Sequence, residues 1–488
     1  VIIIGGGITG LAAAYYLQKR SREAGLPVSW TLMESSTRLG GKIITDTRDN
    51  FIIEGGPDSF IVDKPWAVDL CHEVGLGEQL IPSNEIEKKV YVLRKGRCVE
   101  FPSGFQLSIP TRLGPFLTTP LITPAGKLRM AMDLLIPARK DATDESLADF
   151  IRRRFGHEAL DRFAGPLLAG IFVSDPEKLS ILSTFPRFVA MEKEFGSLIR
   201  AARNVRRLPP PEKVNRPAGR AMFNSLKGGM QSLVTAITKR LEGDVRVNCS
   251  VTAIDRREGH LRVQVAGAAA AFFNADAVIL TTPAYHAARM VEGAVPKLAF
   301  RLQSIRYVST ATVSLAFLKE DLPESLMLDG FGVMIPPSER RRLIACTWAS
   351  TKFKHRAPPD CLLLRAFIGG YRDEELAERP DDELLRMVAE ELEEMFGIKA
   401  APVLHRVYRW TKGNPQYDVG HLDRVAEMEK LAAELPGLYL AGSAYRGIGM
   451  PDCIHQAGDT VDKVLNALTE NPTPRLTVKS SAKTLSGA

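Results

Sequence analysis

The chain reads as an α/β protein: a parallel-sheet domain built from discontinuous segments, with a mixed-sheet domain and a helical insertion between them. Three observations predict this. Val1-Ile2-Ile3-Ile4 is a short run of buried-strand residues that breaks into Gly5-Gly6-Gly7-Ile8-Thr9-Gly10, and Leu11 to Leu17 continues as a helix. Apolar strand patterns return at Ala277–Leu280 and Leu438–Ala441, far along the chain. A long stretch between them, from about 105 to 225, carries helical periodicity instead.

The opening is a Gly-x-Gly-x-x-Gly turn between strand and helix, the Rossmann-like signature for a dinucleotide. Gly5 suits the tight turn, Gly7 a close backbone approach to a pyrophosphate, and Gly10 close packing of helix on sheet. The helix N-terminus then offers free N–H groups to the phosphates. Val28–Met33 reads as the second strand and ends at Glu34, placed to bind ribose hydroxyls.

Further on, Trp66–Val74 reads as a helix closed by Gly75, and Tyr91–Phe101 as a hairpin turning at Lys95-Gly96. A helix begins at the Ser146 cap. Ser232–Leu241 is a helix, while Val245–Asn248, Val251–Ile254 and Ala277–Leu280 are strands. Strands at Ala311–Leu318, Leu362–Ile368 and Val403–Arg409 surround an amphipathic helix, Asp382–Phe396. The last helix starts at Met450-Pro451, with proline in its first turn. These patterns divide the chain into 1–85, 226–285 and 411–470 for the nucleotide domain, 86–104 and 286–410 for the substrate domain, and 105–225 for the helical domain. The tail 471–488 is polar and expected to be disordered.

Composition excludes several classes. The 488 residues are 45% hydrophobic and 25% charged, ordinary for a globular protein of two or three domains. Lys+Arg 64 against Asp+Glu 57 leaves +7, a mild excess without any nucleic-acid-binding motif. It suits an anionic small substrate or loose contact with an anionic membrane. Cys71, Cys98, Cys249, Cys346, Cys361 and Cys453 form no C-x-x-C pair, which fits reduced thiols in a cytoplasmic protein and no metal site. No apolar run reaches transmembrane length, and no secretory signal is visible, although a segment upstream of Val1 stays open. Arg200–Lys227 holds eight basic residues against one acid; it reads as a solvated basic loop, the alternative being a rim that attracts substrate carboxylates.

After Glu34 come Arg38-Leu39-Gly40-Gly41-Lys42 and Glu54-Gly55-Gly56-Pro57-Asp58-Ser59-Phe60. With the opening glycines, these stretches resemble the flavin amine-oxidase superfamily, which includes monoamine oxidases, phytoene desaturases and porphyrinogen oxidases. The extra glycine turns suit backbone donors to a flavin, and Arg38 and Lys42 can neutralise a diphosphate. Gly56–Phe60 resembles the GPDSF or GPNSF signature of protoporphyrinogen and coproporphyrinogen oxidases. Arg409-Trp410 through Pro415-Gln416-Tyr417 to Gly420-His421, Gly442-Ser443 through Gly447–Ile454, and Gly170–Pro176 resemble further stretches of that family.

The resemblance implies non-covalent FAD held by Gly5, Gly6, Gly7, Ile8, Thr9, Gly10, Glu34, Ser35, Arg38, Gly41, Lys42, Gly56, Pro57, Asp58, Ser59, Val251, Trp410, Ile448, Gly449 and Met450. Val251 would offer backbone hydrogen bonds to adenine, Trp410 would wall the flavin ring, and the helix at Met450 would aim its positive end at the pyrimidine. No cysteine lies between Trp410 and Gly442, where monoamine oxidases carry their flavin link. The implied reaction takes hydride from a methylene bridge to flavin N5, with dioxygen as acceptor and hydrogen peroxide as product, repeated three times to give a porphyrin. The cofactor carries the chemistry, so no acid or base is assigned, with Asp58 the one candidate for a polar contact near the reacting carbons.

Lys64 and Ile171 are the implied substrate contacts, with Arg97 a further cationic candidate. Plant and mitochondrial members carry Asn at the Asp58 position, and an Arg just before the hairpin strand, where this chain has Val90. Both departures resemble the soluble bacterial branch, which oxidises coproporphyrinogen III in heme biosynthesis. Implied partners are the carboxylated porphyrinogen, dioxygen and the next heme-pathway enzyme. The alternatives are a protoporphyrinogen IX oxidase, a monoamine-oxidase-like enzyme, and a flavin-bearing porphyrin carrier without turnover.

Overall fold

The structure is a computed structural model, and it describes residues 1–106, 109–110, 112–141, 143–205, 221–267 and 271–470. Much of the basic segment after 205 and the whole tail 471–488 therefore lie outside the described residues.

Ile2–Ile4 sits at the centre of a five-stranded parallel sheet. Its order is Asp244–Arg246, Thr31–Met33, Ile2–Ile4, Val278–Leu280, Leu438–Leu440. Strand side chains alternate between faces, and both faces of this sheet are covered, which is why the strand is apolar throughout. Ile3, Leu32 and Ile279 face helices Ile8–Glu23, Trp66–Glu73, Gln231–Thr238 and Met450–Glu470. Ile2, Ile4, Met33, Val278 and Leu280 face helices Ala284–Val291, Pro296–Gln303 and His421–Ala432. An antiparallel sheet of Val251–Arg257, His260–Val265 and Ala271–Ala275 adjoins this second face, with Val251 on its edge strand. The strand expected over Val245–Asn248 stops at Arg246. Asn248 turns into the left-handed region (φ 53°) and its N–H donates to Ser36 O at 2.9 Å, drawing the chain toward Glu34.

A second, seven-stranded sheet runs Leu404–Pro415, Tyr307–Leu318, Cys361–Gly369, Leu343–Trp348, Gly330–Met334, Lys89–Arg94, Arg97–Glu100. The hairpin thus joins strands more than 200 residues later, and only its contact with Gly330–Met334 is parallel. Helix Asp381–Phe396 covers one face through Leu384, Val388 and Leu392. Phe51 and Ile53 of the hairpin Thr45–Glu54 pack on the other.

The helical region has its own core around Phe150, Phe155, Phe163 and Leu198. Ser146 caps Leu147–Phe155, its Oγ accepting from Asp149 N at 3.0 Å. Arg154 on this helix is fully buried and ties three segments together. Its Nε donates to Asp133 Oδ1 at 2.6 Å, and its other nitrogens reach Glu192 Oε1 at 3.3 Å and Gly196 O at 3.0 Å. Asp133 also accepts from Ser197 Oγ at 2.5 Å and Ile199 N at 3.0 Å. A buried carboxylate stripped of its cation is strongly destabilising, so Arg154→Met is expected to cost about 3–5 kcal/mol. Urea unfolding, followed by proteolysis within 113–205, will show this loss in the helical region.

Candidate functional site

The glycine turn lies at the C-terminal ends of the parallel strands, where open α/β sheets bind ligands. Gly10 is the point of closest approach: a Cβ there would lie 1.9 Å from Gly5 O. Gly7, by contrast, faces open space, with nothing within 4 Å of an added Cβ. It is the N-cap of Ile8–Glu23, without any side-chain cap. An uncapped helix N-terminus facing open space is the cradle a pyrophosphate requires. Thr282 Oγ1 beside Gly5 is buried without a protein partner, a further donor for such a group.

Glu34 is held by this turn. Its Oε2 accepts from Gly6 N at 2.6 Å and its Oε1 from Ser36 N at 2.8 Å, with Ser35 Oγ at 3.4 Å. Its backbone pairs with Arg246 O and Cys249 N, which sets the edge strand beginning at Val251 beside it. Arg38 is tied to its own loop. Its guanidinium donates to Ile43 O at 3.0 Å, Leu39 O at 3.2 Å and Gly41 O at 2.5 Å, and so braces the loop that folds Gly41 against Gly7. Lys42 donates to Gly413 O, and burial pushes its ammonium below the ordinary lysine value.

Gly56 packs against the same loop: a Cβ there would sit 1.7 Å from Lys42 O. The preceding carbonyl, Gly55 O, collects three donors from the seven-stranded sheet. They are Trp410 Nε1 at 2.9 Å, Arg365 Nη2 at 3.0 Å and Thr312 Oγ1 at 3.3 Å. Arg365 also reaches Gly56 O at 2.7 Å. Trp410 is half-buried beside Gly56, where its ring can wall a cofactor.

Sequence reasoning missed the cations here. Lys352 Nζ contacts Asp58 Oδ2 at 2.9 Å, Asp58 Oδ1 at 3.1 Å and Ser59 Oγ at 3.3 Å. Arg356 donates to Ser225 Oγ at 2.6 Å and sits 3.5 Å from Glu54. Ser225 Oγ in turn donates to Asp58 O at 2.6 Å. Burial alone would push the Asp58 carboxyl up, but Lys352, Arg365 and the Ser59 hydroxyl hold it well below the usual range. Glu54 goes the other way. Burial outweighs Arg356, Thr45 Oγ1 and Met230 N, and its carboxyl is pushed up to about 6. Lys352, Arg356 and Arg365 lie in a segment with no motif, so the sequence offered no signal for them.

At the C-terminal end, Tyr417 straps the loop before Met450–Glu470. Its hydroxyl donates to Ser443 O and accepts from Gly447 N, each at 2.8 Å. Its ring stacks on His421 at 3.9 Å. His421 is pushed down to about 4 by burial, and its Nε2 lies 2.8 Å from Tyr445 O. The strap carries Ile448 and Gly449 to Met450 at the start of the last helix. Thr9 hydrogen-bonds the buried Cys453 thiol, which joins this helix start to that of Ile8–Glu23. Two helix N-termini therefore converge, with Lys42 close to Cys453.

Lys64 is paired with Asp452 Oδ1 at 2.5 Å, on the first turn of that helix. Ile171 lies on Gly165–Phe172, but its side chain is outside the described residues; Val173 just after it is held in the left-handed region (φ 53°). Arg97 is on the far edge strand of the large sheet. Among the described residues no group of three or more His, Cys, Asp or Glu could hold a metal.

Trp410→Phe removes the indole donor to Gly55 while keeping the ring, a loss of about 1 kcal/mol. FAD binding to the apoprotein, followed by flavin fluorescence, is expected to weaken roughly fivefold. Glu54 has a folded value above its ordinary 4.5. Its stabilising proton is present at low pH and lost as pH rises through about 6, costing about 2 kcal/mol over that window. In Glu54→Gln, denaturation midpoints between pH 4.5 and 7 are expected to lack that fall relative to the parent.

The family profile described as flavin containing amine oxidoreductase matches residues 8–465. The coproporphyrinogen III oxidase of Bacillus subtilis (strain 168) is 37% identical over 470 residues, covering 96% of this chain and 98% of that protein. The coproporphyrinogen III oxidase of Propionibacterium freudenreichii subsp. freudenreichii is 33% identical over 496 residues, covering 96% and 91%. A crystal structure from Exiguobacterium sp. 255-15 superposes with a TM-score of 0.83 at 34% identity, covering 96% of this chain and 98% of that one. The open glycine cradle, the converging helix ends and these matches together place the chain in the flavin-containing amine oxidoreductase family, with FAD as its cofactor.

Proposed function

We propose that the chain is an FAD-dependent oxidase that converts a porphyrinogen to a porphyrin in heme biosynthesis, with coproporphyrinogen III as substrate. The observation that carries this reading is full-length similarity to coproporphyrinogen III oxidases, at 37% identity to the Bacillus subtilis enzyme. Residues Gly5–Gly10, Glu34, Ser35, Arg38, Gly41, Lys42, Gly56–Ser59, Val251, Trp410 and Ile448–Met450 would hold the cofactor. They line the glycine turn, the loop braced by Arg38, the turn fixed by Arg365 and the strap fixed by Tyr417. When bound, FAD supplies hydride acceptance and passes the electrons on; dioxygen is the acceptor in this reading.

The chain's own residues bind and orient. Trp410 and Arg365 fix the Gly55–Gly56 backbone from the large sheet, so this turn cannot shift relative to that sheet without breaking those bonds. The presence of two separate large sheets supports dividing the chain into a flavin unit around the parallel sheet and a substrate unit around the seven-stranded one. Asp58 is an ionised, ion-paired carboxylate, which suits polar contact and not proton donation. Lys64, at 44% side-chain exposure, is an accessible cation at the first turn of the last helix, and its partner Asp452 would have to yield for it to meet a substrate carboxylate. A cytoplasmic location belongs to the same reading; no helix among the described residues is long and apolar enough to cross a membrane.

Aerobic turnover of the flavin-loaded protein with coproporphyrinogen III and with protoporphyrinogen IX tests this. Porphyrin fluorescence and peroxide are expected to rise together, faster with coproporphyrinogen III. Faster turnover of protoporphyrinogen IX would reassign the substrate, and bound FAD with no porphyrin from either would overturn the activity.

A further inference from the structure

We propose that Lys352 is a positioning residue of this site: it clamps the Asp58 carboxylate against Ser59 and so holds the Gly56–Ser59 turn in the shape that meets the flavin. The inference rests on the reading that this turn contacts bound FAD.

The geometry points to a clamp and not to a substrate anchor. An ammonium has three donors, and Lys352 Nζ has three acceptors around it: both Asp58 oxygens and Ser59 Oγ. None is left for an incoming carboxylate. The lysine is itself fixed. It ends the helix Ala349–Lys352, its carbonyl accepts from Asn84 N at 2.9 Å, and its ammonium lies 5.1 Å and 5.3 Å from the Phe223 and Phe353 ring centroids. Its side chain is 13% exposed, against 22% for Asp58, so the ammonium is the less accessible partner of the pair.

The charges around Asp58 explain why one lysine decides its state. From its own strand–turn segment it faces Glu54 and Ser59, and from the strand Phe223–Leu226 it receives Ser225. From the large-sheet unit it faces Lys352, Arg356 and Arg365. Arg365 is committed to Gly55 O and Gly56 O, and Arg356 to Ser225 and Glu54. Only Lys352 touches the Asp58 carboxylate directly among these cations. Without it, burial is opposed only by Arg365, the Ser59 hydroxyl and the more distant Arg356, and the carboxyl moves up from its depressed position.

The test uses flavin-loaded protein carrying Lys352→Met, Lys352→Arg, Asp58→Asn, or both Lys352→Met and Asp58→Asn. Flavin absorbance is titrated from pH 4.5 to 8.5, and KM and kcat for coproporphyrinogen III are measured alongside. The parent and Lys352→Arg are expected to give the same pH profile. Lys352→Met is expected to add one single-proton transition and a severalfold higher KM, with kcat changed less. The double variant is expected to lose the added transition, because the titrating group has gone. No added transition in Lys352→Met, or its persistence in the double variant, overturns the proposal.

If Lys352→Met does not fold, Asp58→Asn decides through acetylation of Lys352 by acetic anhydride, read by mass spectrometry. Release of the clamped ammonium is expected to speed labelling at least tenfold over the parent, and equal rates overturn the clamp. Porphyrinogen inactivity in every variant and the parent would sink the proposed activity instead, while the flavin titration and the labelling still report on the clamp.

Discussion

One carbonyl oxygen holds the two halves of the site in register. Gly55 O accepts from the Trp410 indole, the Arg365 guanidinium and the Thr312 hydroxyl, which stand on three neighbouring strands of the large sheet. A carbonyl has two lone pairs, so three donors over-determine its direction. The residue before it, Glu54, is anchored to Thr45 and Met230, and the residues after it form the turn that packs on Lys42. The glycine at 55 is part of the design: a Cβ there would strike the Tyr408 ring at 2.7 Å. Backbone between the small hairpin and the Gly56–Ser59 turn is thus shaped by side chains of the large sheet.

Charge is divided with similar economy. Arg38 and Arg365 each donate to backbone carbonyls and serve as braces. Arg356 and Lys352 meet the two carboxylates that flank the Gly55–Pro57 turn. What remains to greet an anionic cofactor is mostly backbone: two converging helix starts, assisted by the buried ammonium of Lys42. Such a site attracts phosphate oxygens without a surface cluster of arginines, which fits the modest net charge of the chain.

The fold and the opening glycine turn were legible because their signals are local. Gly5 to Gly10 and Glu34 constrain one turn and one strand end, and a fingerprint of that kind survives in any single sequence. Ser146 as a helix cap and Lys95-Gly96 as a hairpin turn were visible for the same reason. Arg38 was visible as a charge beside the glycine turn, but the three backbone carbonyls it binds, those of Leu39, Gly41 and Ile43, were not. Lys352 was invisible altogether: it meets Asp58 across 294 positions, and in sequence it is one basic residue among 64. Long-range ion pairs follow from tertiary packing, which periodicity does not encode. The end of the strand at Arg246 was missed similarly, since it is set by Asn248 bonding to Ser36 some 200 residues earlier.

The strand order of the parallel sheet bears on how such a chain is made. Ile2–Ile4 leaves the ribosome before every strand it pairs with, yet its two neighbours are Thr31–Met33 and Val278–Leu280, and the strand on one outer edge is Leu438–Leu440. At roughly 5–20 residues per second, the sheet waits some tens of seconds for its last strand. Throughout that interval an apolar strand presents an unpaired edge, the kind of surface that other nascent chains can join. The same interleaving that lets distant segments share one cofactor therefore gives the growing polypeptide a period of exposure in which holding chaperones have something to bind.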